Sequence, residues 1–279
     1  VGFGGFLVWT KWDRIKELFS GKQNPSKGAY YKGRTEFRGD TEASFKRALA
    51  QFDRVRQSTS KKITATQRAD ARAGQAEVYA AWAQYLKDDA ADLQAKAMML
   101  EKGGVAGTLS NDPRPLRARA KALEREAKKK ADLALKHARA AHLAAQNLVT
   151  KRALAEASRV AGQPLSEVKR LVAAAQKDGA DDAELQYTQA MIAYDLNQLE
   201  KAQKLLRMTI ELWNQKVGNK PFFRAMMRLA RVYSMRSRPK DAIAVLQSIT
   251  SRHPTHVRAH RLLDELKAGS SAVAVSKPT

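Results

Sequence analysis

Three arginines, Arg224, Arg228 and Arg231, recur at i, i+4 and i+7, the spacing that puts side chains on one face of a helix. Guanidinium groups one turn apart can grip carboxylates through charge-assisted hydrogen bonds. A second constellation, His256, His260 and Asp264, runs at i, i+4, i+8, and a histidine pair at that spacing can ligate a metal. Neither cysteine nor a His-Glu motif accompanies it, so a solvated helix face is expected there and no metal site. His137 and His142, five apart, do not share a face. A third cluster, Lys128-Lys129-Lys130 with Arg117, Arg119, Lys121 and Arg125, has the charge that phosphates attract. Residues 113–178 hold no Phe, Trp or Tyr to stack bases, and Glu124 and Glu126 sit among the cations. The chain has no glycine-rich phosphate loop, no G-x-S-x-G elbow and no nucleophile–base set. These residues equip the chain for binding rather than catalysis, and no cofactor is expected.

The composition agrees. The 279 residues carry 51 Lys and Arg against 28 Asp and Glu, a formal net charge of +23, with 7% aromatic residues and no cysteine. Disulfides and thiolate chemistry are excluded. A charge of this size suits an acidic protein, an anionic membrane surface or nucleic acid. It is uneven: residues 113–178 alone hold 16 Lys and Arg against 6 Asp and Glu. Alanine-rich sequence with no sustained alternation of β-branched residues predicts an all-α fold.

The elements that must carry the arginines lie between Asp182 and Lys267. Met226-x2-Leu229-Ala230-x2-Tyr233 is followed by a stop at Ser237-Arg238-Pro239, then by Ala242-x3-Leu246-x2-Ile249. Upstream, Ala190-x3-Tyr194 is followed by Leu196-Asn197-Gln198, then Ala202-x3-Leu206-x3-Ile210. Each set reads as two amphipathic helices joined by a tight turn. Ala155, in Ala153-Leu154-Ala155-x-Ala157, stands at the equivalent place one step further upstream. The pattern resembles the tetratricopeptide repeat (TPR), a helix–turn–helix unit of 34 residues. The resemblance is clear over 182–267, partial over 150–181 and weak over 28–103. It implies a solenoid whose first helices line a partner-binding groove, closed by a polar helix over Thr255–Lys267. In chaperone-docking members of that family, cationic residues on the groove helices hold peptide carboxylates. By that resemblance Arg224 and Arg228 occupy the third groove helix, Arg152 the first, with Glu156 at its companion position, and Thr188 the second. An acidic protein segment is therefore the expected partner. A nucleic-acid-binding basic helical repeat is the alternative.

The remaining organisation is set by punctuation and periodicity. Val1–Trp9 is wholly apolar and gives way to Lys11, Trp12, Asp13 and Arg14. Such a border is how a transmembrane helix leaves the bilayer, so residues 1–19 are expected to be the end of a single-pass membrane anchor. Phe3, Phe6, Leu7, Trp9 and Trp12 would form its lipid and interface contacts, and Lys11, Arg14 and Lys16 favour the cytoplasmic side for the helical remainder of the chain. Residues 20–27 read as a linker, 28–112 as degenerate helical repeats and 113–149 as a long basic helix. Residues 150–267 read as the TPR domain and 268–279 as a disordered tail. Within the second of these stretches, Asp88-Asp89 is expected to cap a new helix. The long helix is expected to run to about Val149, since 116–161 contains neither Gly nor Pro.

Overall fold

The computed structural model describes residues 25–102, 112–218 and 220–275. All regular structure among them is helical: α1 Pro25–Phe37, α2 Glu42–Gln57, α3 Ala65–Glu101, α4 Arg114–Ala144, α5 Leu148–Val160, α6 Leu165–Gln176, α7 Ala183–Asp195, α8 Leu199–Val217, α9 Phe223–Met235, α10 Pro239–Arg252 and α11 Val257–Val275. No described helix is long and apolar enough to cross a membrane. Phe3, Phe6, Leu7, Trp9 and Trp12 lie outside the described residues. The chain forms two compact units. One comprises residues up to Phe37 and Phe45–Ala161; the other comprises Arg38–Ser44 and the residues from Gly162 onward.

In the first unit α3 and α4 pack along one another through alanine. Ala73, Ala76, Ala80 and Ala83 on α3 and Ala127, Ala134, Ala138 and Ala141 on α4 are at most 1% exposed. Side chains this small let two backbones approach closely, and their three- and four-residue steps keep the seam on one face. α3 opens on a capping box, in which Thr64 and Gln67 each bond the other's backbone N–H. At 37 residues it is about 55 Å long. The expected break at Asp88-Asp89 does not occur. No Gly or Pro interrupts Gln75–Lys102, and the Asp88 carboxylate accepts a hydrogen bond from Gln84 Nε2 at 3.0 Å within the helix. The boundary expected between residues 112 and 113 falls inside one unit, which holds both α3 and α4. Phe37, Phe45, Phe52, Val78, Trp82 and Leu86 build the core beside the seam.

The expected long helix ends slightly early. Ala145 is extended, and Asn147 starts α5 with a capping box in which its side chain accepts from Thr150 N–H and Thr150 Oγ1 accepts from Asn147 N–H. A side-chain cap does here what Gly or Pro would usually do. α5 then packs on α3 and α4. The helix expected to open the repeat array at Thr150 therefore belongs to the first unit.

The second unit contains two helical hairpins, α7–α8 and α9–α10, with α6 against α7 and α11 against α10. Ala190, Ala202, Ala230 and Ala242 are fully buried where the helices of each hairpin meet, alongside Met191, Leu206, Leu246 and Ile249. The two hairpin turns are alike. Asn197 and Ser237 both have positive φ, 55° and 56°. Gln198 N–H bonds Ala193 C=O and Arg238 N–H bonds Tyr233 C=O, each at 2.9 Å. This is the Schellman arrangement, which satisfies the last carbonyls of a helix. Ala190 and Ala230 are 40 residues apart, more than the 34 of one repeat, and α8, at 19 residues against 14 for α10, absorbs most of the excess. Trp213 at its end stacks on Phe222 at 4.5 Å and donates from Nε1 to Lys220 C=O at 2.7 Å. α11 runs to Val275, beyond the expected start of a disordered tail at 268.

Serine is a poor occupant of the left-handed region, which costs an L-residue about 1–2 kcal/mol. Ser237→Gly is expected to raise stability by about 0.5–1 kcal/mol after glycine's larger unfolded-state entropy is subtracted. Asn197→Gly should gain less, because asparagine tolerates that conformation. Denaturant titration of both variants is the measurement; a loss at Ser237 would show that its side chain, not its backbone, matters.

Candidate functional site

The candidate site is built on α9 and α7. Arg224 and Arg228 lie one turn apart on α9, and Tyr187 and Tyr194 lie two turns apart on α7. The structure matches them: the Arg224 guanidinium is 5.4 Å from the Tyr187 ring and 5.3 Å from Phe222, and that of Arg228 is 4.5 Å from Tyr194. A guanidinium over a ring face is attracted by the quadrupole, by about 0.5–2 kcal/mol depending on desolvation. The rings therefore hold the cations in place. Arg231, one turn further, shares the face. Arg224 and Arg231 are half-buried, and Arg228 is buried at 4% exposure.

A pre-positioned row of guanidiniums can take carboxylates with less loss of side-chain freedom than flexible surface cations would incur. Arg228 acts mainly by its charge, while Arg224 and Arg231 have atoms within a ligand's reach. Thr188 has a different role. It is 1% exposed, and its Oγ1 donates to Glu184 C=O at 3.3 Å within α7, so it presents no group to a ligand. A cavity of about 340 Å³ opens elsewhere in this unit, floored by Val172, Ile192 and Leu205 and edged by Lys169 and Lys201.

Arg152 is not part of this arrangement. It belongs to the first unit, is 6% exposed and donates from Nε to Glu77 at 2.8 Å. Arg34 pairs with the other oxygen of the same carboxylate. Glu156, at the companion position of Arg152, is buried against Arg159 at 2.8 Å. Both side chains that the TPR resemblance aligned with the first groove helix are interior charges bound to partners.

The histidine constellation is also different from its sequence pattern. His256 precedes α11, and its Nδ1 accepts the Ala259 N–H at 3.2 Å; His260 Nε2 bonds Pro254 C=O at 2.8 Å. His256 is 1% exposed and rests on Phe223, so the expected solvated face begins only beyond it. Among the described residues no group of three His, Cys, Asp or Glu could hold a metal ion. In the lysine triplet, Lys130 leaves its neighbours and lies 3.9 Å from the Trp82 ring.

The arginine spacing was legible in the sequence; the tyrosines were not singled out. Their i, i+7 placement on α7, the first helix of the preceding hairpin, is the signal that could have found them. No family model matches the chain, and no curated protein matches it.

Proposed function

We propose that this chain is a non-enzymatic scaffold whose second unit is a TPR-like module that receives an acidic protein segment on the α7–α9 face. The observation that carries this reading is the seating of Arg224 and Arg228 on Tyr187 and Tyr194. The two hairpins with buried alanines at matching places and matching Schellman turns support the repeat assignment. In the same proposal the apolar N-terminal run attaches the scaffold to a membrane, with the helical units on the cytoplasmic side. That attachment rests on the sequence of residues 1–19 alone.

A short fluorescent peptide rich in Asp and Glu is the probe. Charge-assisted hydrogen bonds contribute about 1.5–3 kcal/mol each, so Arg224→Ala with Arg231→Ala should weaken the peptide by one to several powers of ten. Arg228→Lys keeps the charge and should cost less. Lys128→Ala with Lys129→Ala, on α4, should leave this peptide's affinity nearly unchanged at matched ionic strength. Equal losses in the two double variants would mean diffuse electrostatics, and no loss in either would rule the α9 row out as the site.

A further inference from the structure

The outer face of α4 carries charge that the proposed function does not use. Lys121, Arg125, Lys128, Lys129, Lys136 and Arg139 fall within an arc of about 100° and along about 27 Å of the helix. All six are exposed. None forms an ion pair or hydrogen bond with another described residue. Asp132 is the one carboxylate within the arc. Glu124 and Glu126 flank it, Glu124 accepting from Gln94 on α3 at 2.6 Å. The helix cannot roll to hide the row, because its opposite side is the alanine seam against α3. Leu143, one turn beyond Arg139 in the same row, is 86% exposed, the most exposed large apolar side chain among the described residues.

We propose that this face of α4 is a docking surface for an anionic lipid bilayer. A plane of headgroups meets every cation of a straight row at once, whereas a nucleic-acid duplex curves away from a straight helix and meets only a few. Residues 114–144 hold no Phe, Trp, Tyr, Ser, Thr, Asn or Gln, so the face has neither stacking rings nor the neutral groups that contact bases and phosphates. A protein partner would want an apolar or aromatic centre to desolvate, and the row has none. Against a bilayer, long lysine and arginine side chains reach the headgroups and Leu143 enters the interface at the end of the row. Each cation close to such a surface strengthens partitioning by about fivefold. This inference uses residues other than the α9 face and stands independently of the acidic-peptide reading.

The experiment is co-sedimentation of the full chain with phosphatidylcholine vesicles and with vesicles containing phosphatidylserine. The quantity read is the gain due to phosphatidylserine, so that any attachment through the apolar N-terminal run appears equally in both and cancels. Four exposed lysines are changed together: Lys121→Gln, Lys128→Gln, Lys129→Gln and Lys136→Gln. The gain is expected to fall by about a hundredfold or more, to survive the four Lys→Arg changes, and to disappear at raised salt. Circular dichroism checks that the helices persist. Arg224→Ala with Arg231→Ala should leave the gain intact, which separates failure here from failure of the peptide site. No gain in the wild type, or a gain unaltered by the Gln changes, overturns the proposal. So does tighter binding to a short DNA duplex than to the vesicles, lost in the Gln variant, which would assign the row to nucleic acid.

Discussion

Glu77→Ala is expected to lower the stability of the first unit by about 3–5 kcal/mol, the cost of breaking a buried ion pair by removing one member. Glu77 lies on α3 at 5% exposure. Its two oxygens receive Arg34 from α1 and Arg152 from α5, so one carboxylate joins three helices that are far apart in sequence. Removing it takes away the carboxylate between two guanidiniums whose side chains are only 13% and 8% exposed. Urea unfolding measures the effect. Replacing Glu77, Arg34 and Arg152 together by Met should recover most of the loss, because an apolar triad of similar volume has no desolvation to offset. A loss below about 1 kcal/mol in Glu77→Ala would place the cluster among solvated surface pairs.

The same cluster has a titration signature. Desolvation pushes the Tyr30 phenol up to about 12 from 10.0, with Arg34 acting against the rise and Glu77 with it. A group whose pKa is raised by folding contributes stability that is complete below its unfolded pKa. That contribution should be present below about pH 10 and lost as the pH rises through 12. Glu77→Ala removes the negative neighbour and keeps both cations, so phenolate absorbance should appear at lower pH than in the wild type.

Gly74→Ala is expected to destabilise by about 1–3 kcal/mol, although alanine in a helix interior is ordinarily favoured over glycine by about 1 kcal/mol. A Cβ at Gly74 would stand 2.6 Å from the Phe52 ring, and one at Gly33 on α1 would stand 2.9 Å from the same ring. Phe52 is fully buried, and its ring lies close to both glycines. Thermal melting of Gly74→Ala alone and with Phe52→Leu is the test. The smaller side chain should recover part of the loss, a non-additivity expected of residues in contact. A gain of about 1 kcal/mol from Gly74→Ala would show instead that the ring can move and that propensity governs.

Much of the architecture is a property of local spacing. The alanine and leucine steps on α7 to α10, the stops at Leu196-Asn197-Gln198 and Ser237-Arg238-Pro239, and the common face of Arg224, Arg228 and Arg231 all lie in sequence, because a 3.6-residue period needs only near neighbours. The all-α class has the same source. What escaped was long-range. Arg152 lies 75 residues from Glu77, and no local pattern states that a cation at a groove-like position has a buried carboxylate waiting across the core. The Asp88-Asp89 pair resembled a cap, yet helix termini depend on whether packing rewards continuation, and the α3–α4 seam does. Asn147 and Thr150 form a capping box in which threonine replaces the usual Glu or Gln, so the break before α5 lacked its common mark. Local spacing thus settles that these stretches are helical and which of their side chains share a face. Which of those faces is interior follows from the packing, since burial depends on which distant surface arrives to cover it.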